Sequence, residues 1–324
     1  MFFYHLSDSN RHFAILATMD ISGSLSKNQI QALRLLRKRS ERYAQGRFVV
    51  EGERAVMQVL QNRVLDVLFL VVSAEYLEEL KNSGTDTADE MERDQTGGTE
   101  DNQGSGSRSE SPPTVDLTGF GPVYHVSARI FGQISDTDNA QGILAVCRLP
   151  DPQTTDALLD RTGIIFATDR IRDPGNLGTM IRTATWFGLT GLVFSAGTTD
   201  LFHPKVVRST AGATGVLPWL ATELQPFLEE AAARGWKVNL LESGPGSKSY
   251  LTVPPSGRDI LVVGNEAMGL SGEIRSSQFQ RLRIDPAQGS GDAVFIESLN
   301  ASVASAIVMA RFSSATSSSP APFS

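Results

Sequence analysis

The sequence predicts an α/β protein: a C-terminal domain on a largely parallel sheet covered on both faces, preceded by a smaller α/β domain. Three observations carry that reading. Short apolar runs such as Val67–Val72, Ile143–Cys147 and Ile260–Val263 recur along the 324 residues, as expected for strands buried on both faces. Stretches of helical period separate them, and in the second half runs and helices alternate regularly. Glycine-rich polar segments follow several of the runs, at the ends of strands where such sheets bind their ligands.

In order, Ser26 and Gln29 have the spacing of a capping box. A helix starts there and reaches about Ala44, with Ile30, Leu33 and Leu36 inward. Phe48–Val50 reads as a strand, Glu53–Gln61 as a helix, Val67–Val72 as a strand, and a further helix runs from Ala74 to about Lys81. Residues 83–114, rich in Gly, Ser, Thr, Asp and Glu and without apolar periodicity, predict a disordered insertion. Order resumes with a strand at Val123–Val126, a short helix capped by Ser127 and a strand at Ile143–Cys147. The first domain thus spans 26–150. Residues 1–25 lack the basic start and continuous apolar core of a secretory signal and read as a flexible extension.

Pro150 to Asp156 reads as a linker into a second domain, 151–312. Its strands are predicted at Ile164–Thr168, Leu192–Ser195, Val238–Leu241, Ile260–Val263 and Leu282–Ile284. Its helices are predicted at Leu177–Phe187, Gln225–Arg234 and Ala301–Phe312, and a flexible tail, 313–324, follows. The apolar runs are too short to span a membrane. One cysteine, Cys147, excludes an intrachain disulfide and reads as a buried hydrophobe. Four scattered histidines point away from a zinc site, so a cytoplasmic, metal-free protein is expected.

The net charge of −7 argues against nucleic acid until its distribution is read. Residues 83–118 hold nine acids against Arg93 and Arg108, which accounts for all of it. Residues 27–47 carry Lys27, Arg34, Arg37, Lys38, Arg39, Arg42 and Arg47 against Glu41 alone. That segment can meet a phosphate backbone, although a solvated helix face is the competing reading.

Three segments of the second domain carry polar groups after buried strands. The first runs from Asp169 through Asp173-Pro174-Gly175-Asn176 to Arg182, with Asn176 at a helix start. The second is Val263-Gly264-Asn265-Glu266-Ala267-Met268-Gly269-Leu270-Ser271. The third joins Ile284-Asp285-Pro286 to Ser298-Leu299-Asn300-Ala301-Ser302 and a helix of small residues. Singly, each also reads as turn and cap chemistry, with Ser298 a helix cap and Glu266 a solvated acid. Asn300, entering an apolar helix, still requires partners.

Together and in this order, the segments resemble the three motifs of the SpoU (TrmH-type) branch of the SPOUT RNA methyltransferases, over roughly residues 160–312. The preceding domain, with Phe48-Val49-Val50-Glu51-Gly52, resembles the substrate-binding domain of ribosomal-protein L30e type found in that family. The resemblance implies a deep trefoil knot at the carboxyl ends of the sheet, which ordinary connection rules disfavour. It also implies S-adenosylmethionine held by Gly264, Ile284 and Leu299, with Glu266, Gly269, Ser298 and Asn300 around it. Methyl transfer to a ribose 2′-hydroxyl is then expected, with Arg182 accepting the proton and Asn176, Ser298 and Asn300 positioning it or the ribose; Glu266 organises the loop. An arginine normally keeps its proton, so a phosphate or a second copy of the chain must assist.

RNA selection falls to Arg37, Lys38, Arg39 and Arg47 of the first domain, with Lys205 and Arg208 near the site. Ribosomal RNA is favoured over transfer RNA, and a homodimer through the knotted domain is expected. Two departures from the family pattern stand out: the longer stretch 287–296, and Thr210 where relatives usually carry serine. A tRNA methyltransferase, a base methyltransferase and a non-catalytic RNA-binding protein on the same scaffold remain as alternatives.

Overall fold

The computed structural model describes residues 21–79, 121–286 and 298–314. The insertion expected at 83–114, the loop 287–296 and most of the expected terminal extension and tail lie outside them. The chain divides between Leu149 and Pro150 into two units.

The first unit contains β1 (Ile21–Ser24), α1 (Lys27–Leu35), α2 (Arg39–Gln45), β2 (Arg47–Glu51), α3 (Glu53–Asn62), β3 (Val67–Ser73), helical residues 74–79, β4 (Val123–Val126), α4 (Ala128–Ile134) and β5 (Ile143–Arg148). The sheet order is β1-β4-β3-β5-β2. Strand β4 is parallel to β1 and β3, and β5 is antiparallel to β3 and β2. Residues 21–24, expected in a flexible extension, instead form the edge strand β1. The local sequence Ile-Ser-Gly-Ser has no strand signal, and pairing with Val123–His125 supplies what the segment lacks.

The predicted capping box is present: Ser26 Oγ accepts from Gln29 N, and the Gln29 side chain accepts from Ser26 N. The single helix expected to Ala44 is broken after Leu36. At the break Arg42 turns inward, and its guanidinium donates to the Leu36 and Arg37 carbonyls at 2.9 Å each. Helix ends leave carbonyls without partners, and a buried arginine here supplies donors to two of them. Arg42 therefore leaves the basic surface to which its charge assigned it.

The second unit contains α5 (Thr155–Leu159), β6 (Gly163–Asp169), α6 (Pro174–Trp186), β7 (Gly191–Phe194), α7 (Pro204–Thr210), β8 (Trp219–Ala221), α8 (Leu224–Ala233), β9 (Lys237–Leu241), β10 (Lys248–Ser249), β11 (Arg258–Gly264), α9 (Gly272–Arg275), β12 (Gln280–Arg283) and α10 (Ala301–Ser313). Part of the expected linker is helical, because Thr154 caps α5 by accepting from Ala157 N. The sheet is parallel throughout, in the order β10-β12-β9-β11-β6-β7-β8.

Strand β11 lies between β6 and β9, so Gly264 stands beside Asp169 and Val263 beside Leu241. On one face Ile165, Val193, Leu240, Ile260 and Val262 pack with Leu158, Phe227, Leu228 and Ile274 into one core. Burying each large aliphatic side chain contributes about 1.5–3 kcal/mol, which sets these strands firmly and fixes where their ends lie. No helix among the described residues is long and apolar enough to cross a membrane.

Candidate active site

The three polar segments converge at the carboxyl ends of β6, β11 and β12. Asp173 caps α6 by accepting from Asn176 N at 2.6 Å, and Pro174 occupies the first turn, where a missing N–H costs nothing. The helix starts earlier than its apolar period suggested, so Asn176 lies in the first turn and Arg182 in the third. Asn176 Nδ2 donates to Glu266 Oε1 at 3.0 Å, and Asn300 Nδ2 donates to Asn176 Oδ1 at 3.0 Å. One residue from each segment thus joins a single hydrogen-bonded chain.

The polarity of this chain is determined at its start. Asn300 is the N-cap of α10, a place the sequence reading offered to Ser298. Its Oδ1 accepts from Ser302 N at 2.8 Å and from Ser302 Oγ at 2.6 Å. With that oxygen engaged, Nδ2 must donate, so Asn176 accepts with its oxygen and donates onward. Glu266, a carboxylate, only accepts. Charge assistance at that end strengthens the last bond.

The loop carrying Glu266 is held from below. Asn265 and Gly269 exchange both backbone bonds, at 3.0 and 2.9 Å, and Gly269 adopts a positive φ of 65°. Asn265 Oδ1 accepts from Ala267 N and Met268 N, and its Nδ2 donates to the Arg170 carbonyl at 2.8 Å. Buried Asp169 accepts from Ser271 N at 2.6 Å. Neither Asn265 nor Asp169 was singled out from the sequence; an acid closing the apolar run Ile164–Thr168 was the available signal for Asp169.

Arg182 is exposed, and its guanidinium has no hydrogen-bond or ion-pair partner among the described residues. Ser298 and Leu299 are exposed immediately before Asn300, Ile284 is half-buried just past β12, and Gly264 is buried at the end of β11. Lys205 and Arg208 lie on α7, which packs against α6. The Thr210 hydroxyl donates to the Val207 carbonyl at 2.7 Å and lies 2.7 Å from the Thr214 hydroxyl.

In the first unit Lys38, Arg39 and Arg47 are exposed. Arg37 is engaged by the Gln133 and Ser135 carbonyls and by Asp136, so it is less available to a phosphate. Among the described residues no three His, Cys, Asp or Glu side chains gather to hold a metal.

Residues 163–310 match the SpoU rRNA methylase family, and residues 27–145 match the MRM3-like substrate binding domain. Over 188 residues the chain is 34% identical to the 23S rRNA (guanosine-2′-O)-methyltransferase RlmP of Bacillus subtilis, covering 57% of this chain and 70% of that protein. The chain belongs to the SpoU methylase family.

A tRNA/rRNA methyltransferase of Synechocystis, itself uncharacterised, is 29% identical over 57% of this chain and 65% of its own length. The chain spans about half the length of a similar protein from Mycobacterium avium, 33% identical over 51% of each. Among solved structures, a TrmH-family protein from Porphyromonas gingivalis superposes with a TM-score of 0.64 at 28% identity, covering 89% of this SpoU chain and 98% of that one. An rRNA methyltransferase from Sinorhizobium meliloti bound to AdoMet shares the fold, with a TM-score of 0.67 at 24% identity over 93% and 99% of the two chains.

Proposed function

We propose that the chain transfers a methyl group from S-adenosylmethionine to a ribose 2′-hydroxyl of structured RNA, with ribosomal RNA of the 23S type favoured over transfer RNA. The observation that carries this reading is the bonded chain Asn300, Asn176, Glu266, with Arg182 exposed on the helix that Asn176 begins. The similarity to a guanosine 2′-O-methyltransferase of 23S rRNA supports ribose and rRNA over the alternatives.

The residues at the strand ends fit the cofactor. A Cβ on Gly264 would lie 2.4 Å from the Gly269 carbonyl carbon and the Leu270 nitrogen, so main chain rather than side chains lines this end of the sheet. Half-exposed Leu299 and partly buried Ile284 supply apolar surface. Backbone edges with apolar cover suit a flat nucleoside, which Gly264, Gly269, Ile284 and Leu299 would hold. When bound, the cofactor supplies an electrophilic methyl carbon.

The protein's own residues orient the acceptor. Asn176, its amide fixed between Glu266 and Asn300, presents the start of α6 to the ribose, and Ser298 and Asn300 bound the same space. Arg182 acts on the acceptor in one of two ways, as a neutral base that takes the hydroxyl proton or as a charged clamp on the ribose-phosphate. A general base contributes about 10²–10⁴-fold. The same reading includes a deep trefoil knot at the carboxyl ends of the sheet, which membership of the SpoU family supports.

RNA is gripped through Lys38, Arg39 and Arg47 in the first unit and Lys205 and Arg208 in the second, in the cytoplasm. A second copy of the chain docks through the small-residue helix α10, where Val303 is half-exposed.

The test is incubation with ribosomal RNA and labelled cofactor, then nucleoside digestion and mass analysis. The expected product is a 2′-O-methylnucleoside. Arg182→Ala should cut methyl transfer by at least ~100-fold while cofactor binding stays intact. Near-parent transfer by that variant, or methyl found on a base, would overturn the reading.

A further inference from the structure

The turn that follows β6 holds both ends of the loop carrying Glu266. At the near end, the Arg170 carbonyl accepts from Asn265 Nδ2 at 2.8 Å; at the far end, Asp169 Oδ2 accepts from Ser271 N at 2.6 Å. Two adjacent residues thus grip a loop that lies about a hundred positions later in the chain. Strand pairing places them there, because Asp169 stands beside Gly264 in the register of β6 and β11.

Asp169 is 3% exposed, and its carboxylate is itself fixed. Oδ1 lies 3.3 Å from Arg170 Nε and 3.3 Å from Ser195 Oγ, which also accepts from Arg170 N at 2.9 Å. Arg170 adopts a φ of 57°, a left-handed conformation that a residue bearing a Cβ enters only at a cost. Such residues persist where their surroundings over-determine them, and they gather at ligand sites. Here the strained turn presents its carbonyl and the neighbouring carboxylate to the two ends of one loop.

A loop that orders only when its ligand arrives loses affinity to that ordering. Clamped at both ends, residues 265–271 keep their shape beforehand. We propose that Asp169 is a positioning residue for S-adenosylmethionine: acting through Ser271 rather than by contact, it holds the loop in the shape that binds. This rests on the cofactor lying against Gly264 and Gly269, and it names the residue that keeps that surface ready.

The test uses the full chain. Binding of S-adenosylmethionine is measured by calorimetry, and amide hydrogen exchange is followed without cofactor. Asp169→Ala should weaken binding roughly tenfold and speed exchange within residues 265–271, leaving α8 and β9 unchanged. Asp169→Asn keeps an oxygen for Ser271 N and should restore most of both properties. Ser271→Pro removes the donated N–H at a residue whose φ of −61° suits proline. It should weaken binding as Asp169→Ala does, and the two together should lose little more than either alone.

Parent-like binding by Asp169→Ala, faster exchange spread evenly over the second unit, or fully additive losses in the double variant would overturn the proposal. So would an Asp169→Asn variant as weak as the alanine one, since the carboxylate would then act by its charge on the sulfonium. A chain that binds the cofactor regardless of Asp169 refutes only the clamp. One that binds no cofactor at all refutes the reading of the site, and this inference with it.

Discussion

Asn300 serves two ends with one side chain. Its oxygen caps α10 and its nitrogen reaches Asn176, so removing it should cost both stability and activity. Serine also caps helices well but is too short to reproduce the amide link. Asn300→Ala should lose about 1 kcal/mol of stability, measured by urea unfolding, together with most methyl transfer. Asn300→Ser should recover the stability and leave transfer low. Full activity in the serine variant would show that the link to Asn176 contributes nothing.

Cys147 is a second residue with a definite expectation. Burial, with a smaller contribution from Asp66, pushes its thiol up to about 12. A raised thiol keeps its proton in the folded chain while the unfolded chain ionises above about pH 8.5. Stability should therefore fall as pH rises from that value toward the folded one. A thiol reagent should label Cys147 only after denaturation, and rapid labelling of the native chain would contradict its burial.

At the scale of elements, α6 and α7 meet through a glycine. A Cβ on Gly178 would lie 2.3 Å from the Ser209 Cβ and 2.7 Å from the Val206 carbonyl oxygen. Alanine favours an isolated helix by up to about 1 kcal/mol, while overpacking costs about 1–3 kcal/mol. Gly178→Ala should therefore lower the urea midpoint, and a raised midpoint would mean the helices can separate freely. Elements also show what could be read from sequence. The central strands were legible because both faces are buried and their residues are almost all apolar, as in Ile260-Leu261-Val262-Val263.

Edge elements were not legible. Strand β8 is three residues long, β10 is two, and β1 exists only through pairing with β4. The break between α1 and α2 carries no glycine or proline and depends on Arg42, whose inward turn is a tertiary fact. In the site, the three motifs revealed Asn176, Glu266 and Asn300. The direction of their hydrogen bonds needed coordinates, as did the support from Asp169 and Asn265, because those contacts join residues about a hundred positions apart in the chain.

For the whole molecule, charge is the first consideration. Residues 83–118 carry all of the net −7, so a chain lacking them is neutral overall while keeping its basic segment. Repulsion of RNA by that acidic stretch acts over roughly a Debye length, about 10 Å at 0.1 M salt. Deleting it should tighten RNA binding several-fold at low salt and have little effect at high salt. The same gain at every salt concentration would point to a contact rather than to charge.

The position of β11 governs how this molecule comes to exist. It is the middle strand of seven in order yet among the last to be synthesised. Until residues 258–264 have left the ribosome, β9 has no neighbour on either side and β6 has one open edge. Open edges invite wrong pairing, and distant pairings close slowly. The nascent second unit must therefore spend most of its synthesis without a centre, and its yield in a cell depends on how well that interval is protected.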